Sequence, residues 1–258
     1  MSRVLITGSA DGLGLLAARQ ILDSGNHEVV LHARSEARAT DALAAEPRAS
    51  SVLVGDLASL EQTRALADQA SEAGPFDAVI HNAGVYIVPE RTETQDGLPN
   101  VFQINVLAPF LLTALMPRPR RLVYLTSGLS LGGEPNLEDL RWTQRRWSAD
   151  AAYADSKLMD AALASAVARR WPTVSSNSVD PGWVPTKMGG AGATGDLALG
   201  ADTQAWLAID PSPEATESGR YLHHREARDP HPAAADPAFQ DRLLETCAEL
   251  TGVALPQD

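Results

Sequence analysis

The chain has 258 residues, a formal net charge of -12 and 44% hydrophobic residues, with a mean hydropathy of -0.14, which together predict one ordinary globular domain. The acidic balance argues against a broad nucleic-acid or anionic-membrane surface, since either needs clustered Lys and Arg. The lone cysteine, Cys247, rules out an intrachain disulfide and a cysteine-based metal centre. The longest apolar run, residues 101–117, is interrupted by Gln103, Asn105 and Pro109, so no membrane span is predicted; with no charged-then-apolar leader before the first glycine loop, a cytoplasmic location is expected.

The chain begins with a β-branched apolar run, "RVLIT", followed by "TGSADGLG" at residues 7–14 and then Leu13, Leu16, Ala17 and Ile21 at helical spacing. This reads as a strand, a glycine loop and a helix start. Gly8 can make the turn, while Gly12 and Gly14 lack a Cβ that would keep a ligand or a neighbouring strand from the backbone, and the amides of the helix start face an anion. The spacing G-x-x-x-G-x-G departs from the dinucleotide fingerprint G-x-G-x-x-G. From the loop alone, a bare turn and a phosphate cradle both stand.

Further β-rich runs follow at "EVVLHA", "SVLVGDL", "FDAVIHNAG", "RLVYLTS", "TVSSNSV" and "GRYL". Helices are predicted between or after them at 12–25, 35–45, 59–73, 96–116, 151–170, 200–209 and 236–250. Strand–helix alternation of this kind predicts βαβ crossovers and a mainly parallel, seven-stranded, doubly wound α/β sheet with helices on both faces, in a single domain over 1–258. Two stretches break the rhythm, 128–150 and 184–200, the second carrying five glycines. Both follow C-terminal ends of strands, where open α/β sheets bind ligands.

Tyr153 and Lys157 stand four apart in "YADSK", within an Ala-rich helical stretch, and therefore share one helix face. A phenol is a poor acid at neutral pH, but a cation within about 4–6 Å lowers its pKa by roughly 1–3 units. The pair reads as acid–base machinery or, on its own, as a surface i, i+4 contact.

With these residues in hand, the sequence resembles the short-chain dehydrogenase/reductase family, near its retinol-dehydrogenase-like and carbonyl-reductase-like members. TGxxxGxG at 7–14, "NAG" at 82–84, "INVLAPF" around Asn105, "YLTSG" ending the fifth strand, "YADSK" and "NSVDPGWVPT" at 177–186 occur in the family's order. The resemblance implies a Rossmann-type fold and a glycine loop that holds a pyrophosphate. It implies Tyr153 as the proton donor in carbonyl reduction or the base in alcohol oxidation. Lys157 would lower its pKa and hold the nicotinamide ribose, Ser127 would bond the substrate oxygen, with Ser130 as its nearest rival, and Asn105 would position a water linking Lys157 to solvent. For cofactor contacts it implies Gly8, Gly12, Leu13 and Gly14 at the pyrophosphate, and Asp56 and Leu57 at the adenine. Asn82, Ala83 and Gly84 would flank the adenosine ribose, and Pro181, Gly182, Val184 and Thr186 the nicotinamide. Asp180 receives no role.

The second strand ends His32-Ala33-Arg34, with Arg38 one turn on, where NAD-using relatives place an Asp. A guanidinium pairs bidentately with a 2′-phosphate, so NADPH is expected over NADH, against the contrary signals of Asp11 in the loop and Glu36 nearby. The expected reaction is NADPH-dependent reduction of a ketone or aldehyde on a fairly apolar small molecule. Alcohol oxidation or reduction of an activated C=C bond are alternatives on the same residues, and a non-catalytic NADP-binding regulatory protein is the rival from another class. The family's dimer-forming helices favour a homodimer over a monomer. Ser127 and Tyr153 are 26 residues apart, a wide interval for the family, so 128–150 reads as an insertion beside the site. Leu131, Leu140, Trp142 and Trp147, with Trp183 and Met188, either line an apolar pocket or pin the segment. Residues 187–200 are expected to be a mobile substrate lid. His223 and His224, adjacent on a predicted strand, should point to opposite faces and bind no metal together.

Overall fold

The computed structural model describes residues 1–86 and 90–257. In chain order it contains β1 (Arg3–Ile6), α1 (Gly12–Asp23), β2 (Glu28–Ala33), α2 (Glu36–Ala45), β3 (Ser51–Val54), α3 (Leu60–Ala73) and β4 (Ala78–His81). Next come α4 (Asn100–Phe102), a π turn (Gln103–Leu107), α5 (Ala108–Leu115), β5 (Arg121–Leu125), a 3-10 turn (Gly128–Gly132) and α6 (Ala149–Arg170). The chain finishes with β6 (Ser175–Asp180), α7 (Leu197–Ile209), α8 (Pro213–Thr216), β7 (Tyr221–His223), β8 (Glu226–Arg228), α9 (Pro232–Ala235) and α10 (Pro237–Thr251).

The strands form one sheet in the order β3-β2-β1-β4-β5-β6-β7-β8. From β1 the chain winds outward to β3, then returns to lay β4 against the free side of β1. This reversal creates a switch point between β1 and β4, the place where doubly wound sheets bind ligands. Seven strands run parallel as the alternation predicts, and β8 adds an antiparallel edge through a hairpin with β7. That hairpin was not expected, because its two loop residues, His224 and Arg225, hold φ of 50° and 65°, a conformation that Asn and Gly ordinarily signal.

Both faces of the sheet are covered, which is why its strands read as continuous apolar runs. Leu5, Val30, Val79, Leu122 and Tyr124 pack with α3, α5, α6 and α10 on one side. Val4, Ile6, Val29, Leu31, Ile80 and Val123 pack with α1 and α7 on the other. The helix α6 is buried all the way round from Ala152 to Ala164, so small alanines are needed where backbone and sheet approach closely. Its first turn is fixed by Ser148, whose hydroxyl accepts from the Ala151 amide.

The helical stretch 100–115 changes pitch around Asn105 for a local reason. Pro109 has no N–H to give the Asn105 carbonyl four residues earlier, and the Ala108 amide reaches back five residues to Gln103. The insertion is organised by Arg145, whose guanidinium meets Glu134 and Asp155 at 3.1 and 2.7 Å and lies 3.6 Å over the Trp142 ring. Trp142 is buried and packs edge-on against Trp147 at 5.3 Å. These tryptophans meet each other within the insertion, whereas Leu131, Trp183 and Met188 are exposed.

Candidate active site

The glycine loop is held at three points. The Thr7 hydroxyl accepts from the amides of Asn82 and Ala83, both at 3.0 Å, and the Asn82 side-chain amide donates to the carbonyls of Thr7 and Gly8 at 2.9 and 3.1 Å. The third point is His32, which is buried beneath the loop. The Gly8 amide donates to its Nδ1 at 2.9 Å, so the ring proton sits on Nε2 and is donated to the Gly55 carbonyl at 2.8 Å. Burial lowers the His32 pKa, which keeps the ring neutral and this tautomer in place. Sequence reasoning passed over His32; a polar ring inside the apolar run "VVLHA" was the available signal.

Each glycine is there for a different reason. A Cβ on Gly8, at φ +62, would lie 2.8 Å from the Ala83 Cα, and one on Gly14 would lie 2.5 Å from the Asn82 amide nitrogen. Gly12, at φ +57, faces open space. Gly8 and Gly14 thus allow the loop to close on its own scaffold, and Gly12 leaves the cleft side clear. The cleft fits a dinucleotide: α1 presents its N-terminus there, and Asp11, at its N-cap, makes no side-chain capping bond. An anion can take those amides.

The residues expected around the adenosine end lie after β2 and β3. Arg34 is exposed, with no ion pair among the described residues. Arg38 is already engaged, 2.7 Å from Asp11 and 2.8 Å from Asp41, so the two arginines are not equivalent. The Asp56 carboxylate accepts from the Ala58 amide at 2.9 Å, while Leu57 is turned into the core. Leu13 packs partly against α7. Beyond β6, Pro181 and Gly182 begin a turn in which Gly182 holds φ +78. Val184 is buried, and the Thr186 hydroxyl accepts from the Gly189 amide at 3.1 Å.

At the ends of β4 and β5 the remaining candidates meet on α6. Tyr153 and Lys157 are 7% and 4% exposed, which removes the surface-pair reading. The Lys157 ammonium donates to the Leu125 carbonyl and, at 3.1 Å, to Asp160. Asn105 is fully buried: its Oδ1 accepts from the Val85 amide at 2.9 Å, and its amide donates to the Val85 carbonyl at 3.0 Å and Ser156 at 2.9 Å. A Cβ on Gly84 would stand 3.3 Å from Asn105 Oδ1 and 3.6 Å from Lys157 Nζ, so the bare glycine keeps the space between those groups open. Ser127, rather than Ser130, lies against the Tyr153 phenol. Tyr86, which sequence reasoning missed, packs on Tyr153 with ring centres 4.4 Å apart and planes tilted by 40°. Its hydroxyl donates to Asp150 at 2.6 Å, and that bond pushes its pKa up to about 12.

Burial, the largest effect, pushes the Tyr153 pKa up, and Asp160 and Asp180 add to the rise, while Lys157, as expected, and Ser127 pull it down. One expectation needs correction: His223 and His224 do not diverge. Their rings stack at 3.9 Å because His224, at positive φ, has left the strand and no longer alternates. His223 Nδ1 stands 3.3 Å from Asp180, at the edge of this same site.

Comparison with known proteins identifies the family and the fold. The family pattern described as short chain dehydrogenase matches residues 2–120. The short-chain dehydrogenase chyC of Penicillium rubens is 40% identical over 99% of this chain and 100% of that protein. A Streptomyces sp. protein named as a candidate daunorubicin C-13 ketoreductase, DnrU, is 35% identical over 96% of this chain and 92% of its own. A crystal structure of a functionally uncharacterised protein from Mycobacterium paratuberculosis superposes with a TM-score of 0.84 at 28% identity, covering 99% of this chain and 95% of the other. The chain belongs to the short-chain dehydrogenase/reductase family of NAD(P)-binding oxidoreductases.

Proposed function

We propose that the protein reduces a ketone or aldehyde on a small molecule with NADPH, and that Tyr153 is the acid. The observation that carries this reading is the meeting of Tyr153, Lys157 and Ser127 at the C-terminal edge of the sheet. NADPH, when bound, supplies the hydride. Tyr153 then gives its proton to the carbonyl oxygen, which Ser127 bonds and so positions. Lys157 stabilises the phenolate left behind and offers a remaining N–H to the ribose hydroxyls. Asn105, anchored on Val85, keeps the route from Lys157 toward solvent in register.

The choice of NADPH rests on Arg34. It is exposed beyond β2, where a guanidinium can pair with a 2′-phosphate and a carboxylate would repel it. The family relationship to a protein named for a ketone reduction supports a carbonyl substrate. Consumption of NADPH, followed by loss of its near-ultraviolet absorbance with a panel of aromatic and alicyclic ketones, tests both parts together. Turnover of ketones with NADPH but not with NADH is the expected result. Binding of NADPH with no turnover of carbonyls, alcohols or activated alkenes would return the protein to the regulatory class.

A further inference from the structure

His32 is 2% exposed near the C-terminal end of β2, between the apolar Leu31 and Ala33. Packing alone does not call for an imidazole there, since a buried polar ring is tolerated only when its nitrogens are bonded. Every polar group of the residue is used. Its amide donates to the Ser9 hydroxyl at 2.9 Å, and its carbonyl accepts from the Ser9 amide at 3.1 Å. The Ser9 hydroxyl in turn donates to the Ile6 carbonyl at 2.8 Å. On the ring, Nδ1 accepts from the Gly8 amide at 2.9 Å, and Nε2 meets the Gly55 carbonyl at 2.8 Å. A backbone amide can only donate and a carbonyl can only accept, so geometry alone puts the ring proton on Nε2.

The two ends of this relay differ in stiffness. A Cβ on Gly55 would stand 3.1 Å from the Gln62 carbonyl oxygen and 3.2 Å from Leu66 Cβ, and the Asp56 amide donates to the Gln62 side chain at 3.0 Å. The exit of β3 is therefore a post set hard against α3. Gly8, at φ +62, belongs instead to a loop of mostly small residues, "TGSADGLG", with little side-chain surface to pack. We propose that His32 is a positioning residue for the dinucleotide: the relay from the Gly8 amide through the imidazole to the Gly55 carbonyl sets the distance between the glycine loop and the turn that carries Asp56, so that one cofactor molecule meets both. The Gly8 amide is then spent on His32, and the pyrophosphate falls to the amides at the start of α1, with Gly8 contributing shape. The proposal rests on the cleft holding a dinucleotide and is independent of the substrate reduced.

His32→Leu keeps a buried side chain and removes both ring bonds. His32→Asn places an amide oxygen near the position of Nδ1 and keeps the Gly8 bond, but is too short to reach Gly55. A lost hydrogen bond of this kind changes an equilibrium constant by about two- to tenfold. In fluorescence titrations of the substrate-free protein, NADPH affinity should weaken about tenfold in His32→Leu and about threefold in His32→Asn. Adenosine 2′-monophosphate, measured by competition, reaches only the adenine side, which stays fixed on α3, so its affinity should change by less than about twofold in either variant. In turnover, KM for NADPH should rise with the dissociation constant while kcat at saturating NADPH holds within about twofold. An unchanged NADPH affinity in a folded His32→Leu overturns the proposal, as does an equal weakening of NADPH and the adenine fragment. If His32→Leu does not fold, His32→Asn and the unsubstituted protein decide: unchanged NADPH affinity in His32→Asn, or ring-nitrogen NMR that puts the proton on Nδ1, overturns it. Because the titrations need no carbonyl substrate, absence of ketone turnover would defeat the functional reading and leave the test of His32 intact.

Discussion

Lys187 Nζ stands 2.7 Å from Asp11 Oδ2, joining the segment after β6 to the glycine loop across the mouth of the cleft. The segment also holds itself together: the Gly195 amide donates to the Trp183 carbonyl at 2.8 Å, and the Trp183 indole donates to the Gly189 carbonyl at 2.9 Å. A Cβ on Gly189 would lie 2.1 Å from the Val184 carbonyl oxygen, so this glycine permits close packing as well as freedom. Residues 197–200 of the expected lid form the first turn of α7, with Gly200 buried; we propose that the remainder, 187–196, closes over the bound cofactor and substrate, with the Lys187–Asp11 contact as its latch. The Lys187 side chain is 84% exposed and that of Asp11 47%, which limits the pair to at most about 1 kcal/mol. Asp11→Asn should then speed amide exchange in 187–196 of the free protein by no more than about fivefold. Protection should increase from the free to the NADPH-bound to the ternary state. Equal, strong protection in all three would show a permanently packed loop.

Arg34 carries the cofactor prediction. Arg38 must leave or share Asp11 before it can meet a phosphate, whereas Arg34 has no such contact to give up among the described residues. A charged hydrogen bond at a partly exposed site contributes on the order of 1.5–3 kcal/mol, so Arg34→Asp should shift the NADPH/NADH affinity ratio at least about tenfold toward NADH. Arg38→Ala should shift it less. Fluorescence titration of both cofactors checks the pair, and a wild-type protein that binds NADH as tightly as NADPH would remove the assignment.

The contrast between these arginines shows where sequence reading stops. Charge and spacing marked both, but only the fold brings Asp11, 27 residues away, onto one of them. Motif spacing carried the parts whose geometry is local: the loop at 7–14, Tyr153 and Lys157 on one helix face, and the strand–helix order. The π turn was within reach, since Pro109 stands four residues after Asn105 in the sequence. The lock between His32 and the Gly8 amide, the packing of Tyr86 on Tyr153 and the reach of Lys157 to the Leu125 carbonyl all depend on contacts between separate elements. The β7–β8 hairpin escaped because His and Arg occupy positions where a turn signal would carry Asn and Gly.

His81, at the end of β4, predicts an acid-sensitive fold. It is 1% exposed, its Nε2 meets Thr113 at 3.0 Å, and Nδ1 is unpartnered among the described residues. Burial lowers its pKa to about 3. Between about pH 6.5 and that value, the unfolded chain takes up a proton that the folded chain refuses, so stability is full above pH 6.5 and falls as pH drops. The slope for such a group is about 1.4 kcal/mol per pH unit. His81→Leu removes the titration and leaves the Thr113–Tyr124 bond in place. In urea unfolding at pH 7 and pH 5, the wild type should lose about 2 kcal/mol more than the variant. Parallel losses in the two proteins would mean that His81 does not drive the acid response.

Tyr153 gives the most direct test of the reaction. Tyr153→Phe keeps the ring and its packing against Tyr86 but removes the proton, and loss of a general acid lowers turnover by about 10²-fold or more. NADPH affinity should change little, because the phenol is not the main holder of the ribose. Lys157→Ala should behave differently. It removes the ammonium from between Tyr153, the Leu125 carbonyl and Asp160, so Asp160 is left buried without its counter-ion, and both turnover and cofactor affinity should fall. Stability should fall too, since an unpaired buried carboxylate is strongly unfavourable, by about 3–5 kcal/mol where no relaxation occurs. Lys157→Ala with Asp160→Ala should regain most of that stability without regaining activity. Measured kcat/KM, NADPH titration and urea midpoints on the three variants separate the roles: near-normal turnover in Tyr153→Phe would take the phenol out of the mechanism, and equal stability of the Lys157 single and double variants would break the link between Lys157 and Asp160.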